Sequence, residues 1–164
     1  MGDLIDWPLL GFIAVNFLAA SSGAVFKPGP WYQTLAKPWW CPPNWAFPIV
    51  WTIIFAMIAV SGWVAYYAAG GLAGAPWAFI AYGVQLAFNA GWSAVFFGLR
   101  RPDWGLVEVA FLWLSIVVNI ALFALVDWRA AALLLPYLAW VTLAARLNQS
   151  IVRLNPRERE SAAA

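Results

Sequence analysis

The sequence predicts an all-α integral membrane protein, a bundle of five transmembrane helices with a long structured loop between helices 1 and 2. The chain is 65% hydrophobic and only 10% charged, whereas soluble domains carry roughly a quarter of charged residues. Five apolar segments have about the 20 residues needed to cross a bilayer. None alternates apolar and polar residues, and backbone groups in lipid must be paired within each segment, so helices are expected rather than strands.

The five segments run about 7–26, 44–69, 76–99, 104–126 and 130–151. Short links join the last four, so neighbouring helices are expected to be antiparallel. We expect residues 1–154 to form one transmembrane domain and residues 155–164 to be a polar, disordered tail. No basic region precedes the first segment, so we expect it to be retained rather than cleaved as a signal peptide.

The link between the first two segments, residues 27–51, is unusually aromatic and rich in proline. It reads KPGPWYQTLAKPWWCPPNWAFPIVW. The prolines predict no helix before Pro43. Large aromatic faces favour burial, so this stretch either lies at the membrane surface or covers a pocket for a flat apolar ligand.

The basic residues predict the orientation of the chain. Eight of the nine lie on one side of the predicted bundle: Lys27, Lys37, Arg100, Arg101, Arg146, Arg153, Arg157 and Arg159. Only Arg129 lies on the other side. Since short cytoplasmic loops are enriched in lysine and arginine, the aromatic loop and the C-terminus are expected to face the cytoplasm.

The third segment carries polar and small residues at helical spacing. Gln85, Asn89 and Trp92 fall near one helix face. Buried amides in lipid form interhelical hydrogen bonds, the interpretation we favour, or mark a ligand site. Small residues recur at every fourth position of this helix: Gly83, Ala87 and Gly91. They allow close helix approach, either within the bundle or across a dimer.

The deeper aromatic residues and one acid are the other candidates for function. Tryptophans near segment ends indicate an interfacial belt: Trp7, Trp77, Trp104 and Trp128. Those farther from the ends suit either core packing or a flat conjugated ligand: Trp51, Trp92 and Trp140. Glu108 is either a near-interface acid favoured by the helix dipole, which we prefer, or part of a proton relay.

The composition also excludes several kinds of site. There is no histidine, which removes the commonest ligand of zinc and haem and the usual general base. The single cysteine, Cys41, leaves no intrachain disulfide. We find no metal-ligand cluster, phosphate-binding loop or nucleic-acid-binding helix. A hydrolase or an ATP-driven pump is therefore disfavoured, and no metal or nucleic acid is expected as a partner.

Three groups of motifs resemble one known family. The run WYQTLAKPWWCPPNW from Trp31, followed by Pro48 and Trp51, is similar to the signature of the tryptophan-rich sensory protein and translocator protein family (TspO/MBR, the peripheral-type benzodiazepine receptor family). The runs QLAFNAGW from Gln85, with FFG from Phe96, and PYLAW, with a later Leu-Asn pair, also match. The resemblance covers all five segments.

The resemblance implies a homodimer in a bacterial membrane, inner or outer, with a cytoplasmic-side pocket covered by the first loop. It implies tetrapyrrole ligands such as protoporphyrin IX and haem, with sterols and drug-like molecules in some members. Membrane lipid surrounds such proteins, and no cofactor is obligatory. The matching pocket residues are Ala24, Trp31, Trp39, Phe47, Trp51, Asn89, Trp92, Trp104, Trp140 and Ala144. Gly83, Ala87 and Gly91 are the candidate dimer residues.

The chain departs from the family pattern at two places. Phe55 stands where many members have tyrosine. The stretch 147–153, LNQSIVR, lacks the tyrosine of the sterol-recognition motif, so sterol binding through that motif is not expected.

Three functions are compatible with these features, in order of preference. The first is a membrane protein that binds tetrapyrroles in sensing or transport. The second is an enzyme that degrades porphyrin in light, with Trp51 and Trp140 as the reacting residues. The third is a regulatory interaction protein that acts through its C-terminal tail.

Overall fold

A computed structural model describes residues 5–156, and this part of the chain is built of helices joined by turns. Its α-helices are α1 (Trp7–Val25), α2 (Pro30–Thr34), α3 (Ala46–Ala69), α4 (Pro76–Ser93), α5 (Pro102–Ala124), α6 (Trp128–Leu133) and α7 (Leu135–Leu154). A 3-10 turn covers Leu72–Gly74, and a π-helical turn covers Ala94–Gly98 at the end of α4. The all-helical prediction is confirmed.

Four helical stretches in the described range are long and apolar enough to cross a membrane: α1, α3, α5 and the combined α6–α7 stretch Trp128–Leu154. Helix α4 is not among them. It has 18 residues, but Gln85 and Asn89 lie in its interior and reduce its apolar character. Length and composition therefore support four of the five predicted spans.

The last segment is longer than predicted and is interrupted. It starts at Trp128, where the Asp127 carboxylate accepts a hydrogen bond from the Arg129 amide at 2.7 Å. It breaks at Leu134 because Pro136 has no amide hydrogen to continue the helix. The prediction of one unbroken helix over 130–151 is therefore wrong at its N-terminal end.

The aromatic loop also contains more helix than the prolines suggested. Pro30 opens the five-residue helix α2, which corrects the prediction of no helix before Pro43. Proline is well tolerated at the first helical position, because the amide there would be unpaired in any case and its φ is already helical.

The helices pack as a bundle in which α4 and α5 share the most extensive contact. Helix α1 lies against α3 and α4, and α5 also contacts α6 and α7. The centre is apolar and fully buried, with Ile58, Ile116 and Phe123 among its members. Many large apolar side chains point outward instead, including Phe17 and Leu125. An apolar exterior around an apolar core is typical of a protein surrounded by lipid.

Buried polar side chains connect the helices of the bundle. The Ser61 hydroxyl on α3 donates to the Ala130 carbonyl of α6 at 2.7 Å. The Tyr82 hydroxyl on α4 donates to the Ile58 carbonyl of α3 at 3.1 Å. These bonds pair polar groups where no water is at hand.

Candidate functional site

The aromatic loop packs against one end of the bundle and forms a second, smaller core there. Its fully buried members are Tyr32, Leu35, Phe96, Leu147 and Ile151. Trp31, Trp40, Cys41, Phe47, Trp92 and Phe97 pack around them. Trp92 also contacts the main core. Residues of the loop thus pack against the end of α7 and the turn that follows α4.

One contact stabilises the loop internally, and a second holds it against the end of α7. The ammonium group of Lys37 donates to the Tyr32 carbonyl at 2.6 Å and lies 4.4 Å from the centre of the Tyr32 ring. Burial of that ring raises the pKa of the Tyr32 hydroxyl above its ordinary value. Asn155, just after α7, accepts a hydrogen bond from the Ala36 amide at 2.9 Å and donates one to the Ala36 carbonyl at 3.0 Å.

A polar pair lies beneath the loop, between α4 and α7. The Asn89 side-chain amide donates to the Tyr137 hydroxyl at 2.8 Å, and both residues are buried. The edge of Trp51 packs on Tyr137 with ring centres 6.3 Å apart, and Trp51 also contacts Phe55. Trp51, on α3, therefore faces the same polar pair.

The other two deep tryptophans lie one helical turn from the members of this pair, Trp92 after Asn89 on α4 and Trp140 after Tyr137 on α7. Trp92 stacks on Phe96, with ring centres 5.1 Å apart. Trp140 packs edge-on against Phe47 at 5.7 Å. The indole N–H groups of Trp92 and Trp140 are buried and have no hydrogen-bond acceptor among the described residues. Buried donors without acceptors are uncommon, and here two of them lie beside aromatic faces.

The structure thus brings together one part of the predicted pocket. That part comprises Trp31, Phe47, Trp51, Asn89, Trp92 and Trp140, and Trp31 joins it through an edge contact with Phe96 at 6.2 Å. Ala144 is half-buried one turn after Trp140 on α7. We call this set, with Tyr137 and Phe96, the aromatic site.

Three predicted pocket residues lie outside the aromatic site. The Trp39 side chain is 96% exposed and Trp104 is 58% exposed. Ala24 is exposed near the end of α1. Trp104 resembles the other residues of the predicted belt, because Trp7, Trp77 and Trp128 are exposed as well. The idea that Trp39 closes over a ligand stays a prediction.

Two members of the site were not assigned from the sequence. Tyr137 is 1% exposed and is the hydrogen-bond partner of Asn89. Phe96 is 2% exposed and contacts Trp31, Tyr32 and Trp92. A signal for Tyr137 was its position three residues before Trp140, which places both on neighbouring parts of one helix face.

The position of Glu108 does not fit the interpretation that the helix dipole favours its charge. The acid in the first turn of α5 is Asp103, whose carboxylate pairs with Arg101 at 2.6 Å. Glu108 lies beyond that turn, where the dipole effect has decayed. Its carboxylate lies 3.3 Å from the position that a Cβ would take at Gly91. Both carboxylate oxygens are shielded and have no hydrogen-bond partner among the described residues.

The small residues of α4 face away from the aromatic site. Gly83 and Ala87 are exposed, and Gly91 is half-buried beside Glu108. A Cβ added at Gly83 would meet no atom within 4 Å. This face of α4 therefore has room for another helix.

Comparison with known proteins supports the family resemblance seen in the sequence motifs, and the match extends along almost the whole chain. The model of the TspO/MBR family matches residues 11–154. Protein CrtK of Rhodobacter capsulatus is 40% identical over 159 residues, covering 92% of this chain and 96% of the relative. The tryptophan-rich sensory protein of Cereibacter sphaeroides is 39% identical over 152 residues, covering 92% of this chain and 94% of the relative. The human translocator protein is 31% identical over 154 residues, covering 90% of each chain. The chain is therefore a multi-pass membrane protein that belongs to the TspO/MBR family.

Proposed function

We propose that this protein binds tetrapyrroles, such as protoporphyrin IX or haem, and other flat apolar ligands in the aromatic site, and that binding serves sensing or transport. The observation that carries the proposal is that Trp51 packs on Tyr137, the hydrogen-bond partner of Asn89, while Trp92 and Trp140 each lie one helical turn from this pair. The names of the relatives, a sensory protein and a translocator protein, favour a sensing or transport role.

The chemistry of the site suits a flat conjugated ring. Indole and phenyl faces stack on such rings, and their contacts are worth about 0.5–1.5 kcal/mol each beyond the buried area. Since the chain has no histidine, haem would be held by stacking and shape rather than by an imidazole–iron bond. The porphyrin is then a ligand and not a resident cofactor.

We further propose that α4 is the fifth span. Helix α3 begins next to the aromatic loop, and α5 begins at Pro102, whose carbonyl accepts a hydrogen bond from Asn148 near the end of α7. That end of α7 also holds the loop through Asn155. Both α3 and α5 therefore start at the loop end, so α4, which connects them, has to return across the same thickness.

We also propose an orientation and an assembly that are compatible with this arrangement. The excess of basic residues supports a cytoplasmic position for the loop end. The exposed small residues Gly83 and Ala87, with Gly91, support a homodimer formed through α4. We propose a bacterial membrane, because two of the relatives above come from bacteria.

Titration with protoporphyrin IX tests the ligand proposal. Quenching of tryptophan emission is followed for the purified protein in detergent and for the double variant Trp51→Phe/Trp140→Phe. The matched control is Trp7→Phe/Trp128→Phe, which removes two exposed tryptophans. Weaker stacking at two rings should reduce the affinity by about tenfold in the first variant only.

Two results would contradict the proposal. The first is non-saturable quenching of the unmodified protein, which would show that porphyrin only partitions into the micelle. The second is an equal affinity of both double variants, which would place the ligand away from Trp51 and Trp140.

A further inference from the structure

Gln85 is the exception among the buried amides of the bundle. Each buried asparagine donates a hydrogen bond to another residue: Asn16 to Phe12 and Tyr82, Asn89 to Tyr137, Asn119 to Ala78, and Asn148 to Pro102. Gln85 is 1% exposed, and neither its amide nitrogen nor its amide oxygen has a hydrogen-bond partner among the described residues. Among residues 5–156, the expectation that Gln85 forms an interhelical hydrogen bond is therefore wrong.

Gln85 lies on the face of α4 that points into the bundle, one turn before Asn89 of the aromatic site. It follows Tyr82 by three residues and precedes Asn89 by four, and both of these neighbours point into the bundle to contact other helices. Trp92 lies two turns farther along the same side of α4, about 10 Å away by helical rise. Its indole N–H is likewise buried without an acceptor.

An unpaired amide at this depth is unfavourable for the protein alone. Burying a donor or acceptor without a partner costs the full desolvation free energy of that group. An apolar side chain of the same shape would avoid this cost. The same unpaired group discriminates strongly between ligands, since it favours a molecule that completes its hydrogen bonds over an analogue that does not.

We propose that Gln85 is a specificity-determining residue of the aromatic site. It binds a ligand edge that presents a hydrogen-bond acceptor and donor side by side, as a lactam, a carboxamide or a carboxyl group does. The Gln85 amide nitrogen donates to the ligand oxygen, and its amide oxygen accepts from the ligand N–H or O–H. The inference rests on the proposed function, because it needs a ligand in the aromatic site.

The test uses two flat three-ring probes of nearly equal shape. Phenanthridinone carries a lactam N–H beside its carbonyl, and N-methylphenanthridinone lacks that N–H. We expect the unmodified protein to bind the lactam about tenfold more tightly or better, because the second probe leaves a buried acceptor unpaired. In Gln85→Leu the preference should disappear, and the melting temperature without ligand should rise.

The matched control is Asn119→Leu, which makes a similar change at a buried amide with a bond of 3.1 Å to the Ala78 carbonyl. It should lower the melting temperature and keep the lactam preference. If Gln85→Leu does not fold, Gln85→Met removes the same amide with an unbranched side chain.

Three outcomes would overturn the proposal: no lactam preference in the unmodified protein, an unchanged preference in the Gln85 variant, or a melting temperature that falls as in Asn119→Leu. Protoporphyrin IX is titrated into the same samples. Porphyrin binding without lactam preference would contradict only the role of Gln85. Lactam preference without porphyrin binding would contradict only the tetrapyrrole ligand.

Discussion

Removal of the Tyr137 hydroxyl should destabilise the protein by leaving its partner unpaired. In Tyr137→Phe the Asn89 amide, buried at 6% exposure, loses its acceptor at 2.8 Å. An unpaired buried donor costs about 1–3 kcal/mol, whereas interhelical hydrogen bonds in a membrane protein average about 0.6 and reach about 1.7 kcal/mol. Because Tyr137 is 1% exposed, we expect a loss of about 1–2 kcal/mol in the free energy of unfolding.

A double-mutant cycle measures the hydrogen bond itself. The variants are Tyr137→Phe, Asn89→Leu and the pair, and the free energy of unfolding is measured in mixed micelles by denaturing-detergent titration. The double variant should be more stable than the sum of the single losses predicts, by about 0.6–1.7 kcal/mol. Tyr66→Phe is the matched control, since it removes a tyrosine hydroxyl from a half-buried ring that packs on Phe12, away from Asn89 and Tyr137. Additive losses within error would refute the assigned bond.

Two further predictions concern groups outside the membrane-spanning helices. In Asn155→Ala the Ala36 amide loses its acceptor, so its deuterium exchange should accelerate by roughly fivefold, the equivalent of about 1 kcal/mol; unchanged exchange would show that other contacts hold the loop. A neighbouring guanidinium lowers the pKa of Asp127 from 3.8 to about 2. Because the pKa of Asp127 is lower in the folded than in the unfolded state, its ionised carboxylate stabilises the fold at pH values above the unfolded-state pKa. The stability advantage of the unmodified protein over Asp127→Asn should therefore be complete near pH 6 and decline from about pH 4 toward pH 2. A melting-temperature difference that is the same at pH 6 and pH 3 would contradict this.

Hydrophobic patterning was enough to predict the helices but not their interruptions. Apolar runs give the length of a span, and the observed α1 and α3 lie within two residues of the predicted bounds. The break at Leu134 depends on which amide Pro136 removes, and the short helix α2 depends on proline at its first position. Both are local backbone effects that a composition window averages out.

The aromatic site was predicted in part because sequence distance separates its members. Depth along a segment correctly distinguished Trp51, Trp92 and Trp140 from the exposed tryptophans at the segment ends. The depth of a residue along a segment does not indicate its hydrogen-bond partner, so it does not predict the hydrogen bond that Asn89 donates to Tyr137. Spacing also could not show that Gln85 lacks the partner that each buried asparagine has.

The paired hydrogen bonds between Asn155 and Ala36 link two parts of the chain that are 119 residues apart in sequence. Any ligand that enters beneath the loop by lifting it has to break this pair or pull the end of α7 along. Ligand occupancy of the proposed site and the geometry of the loop end of the bundle would therefore be coupled. In the proposed sensing role, ligand binding would change the structure at the loop end of the bundle.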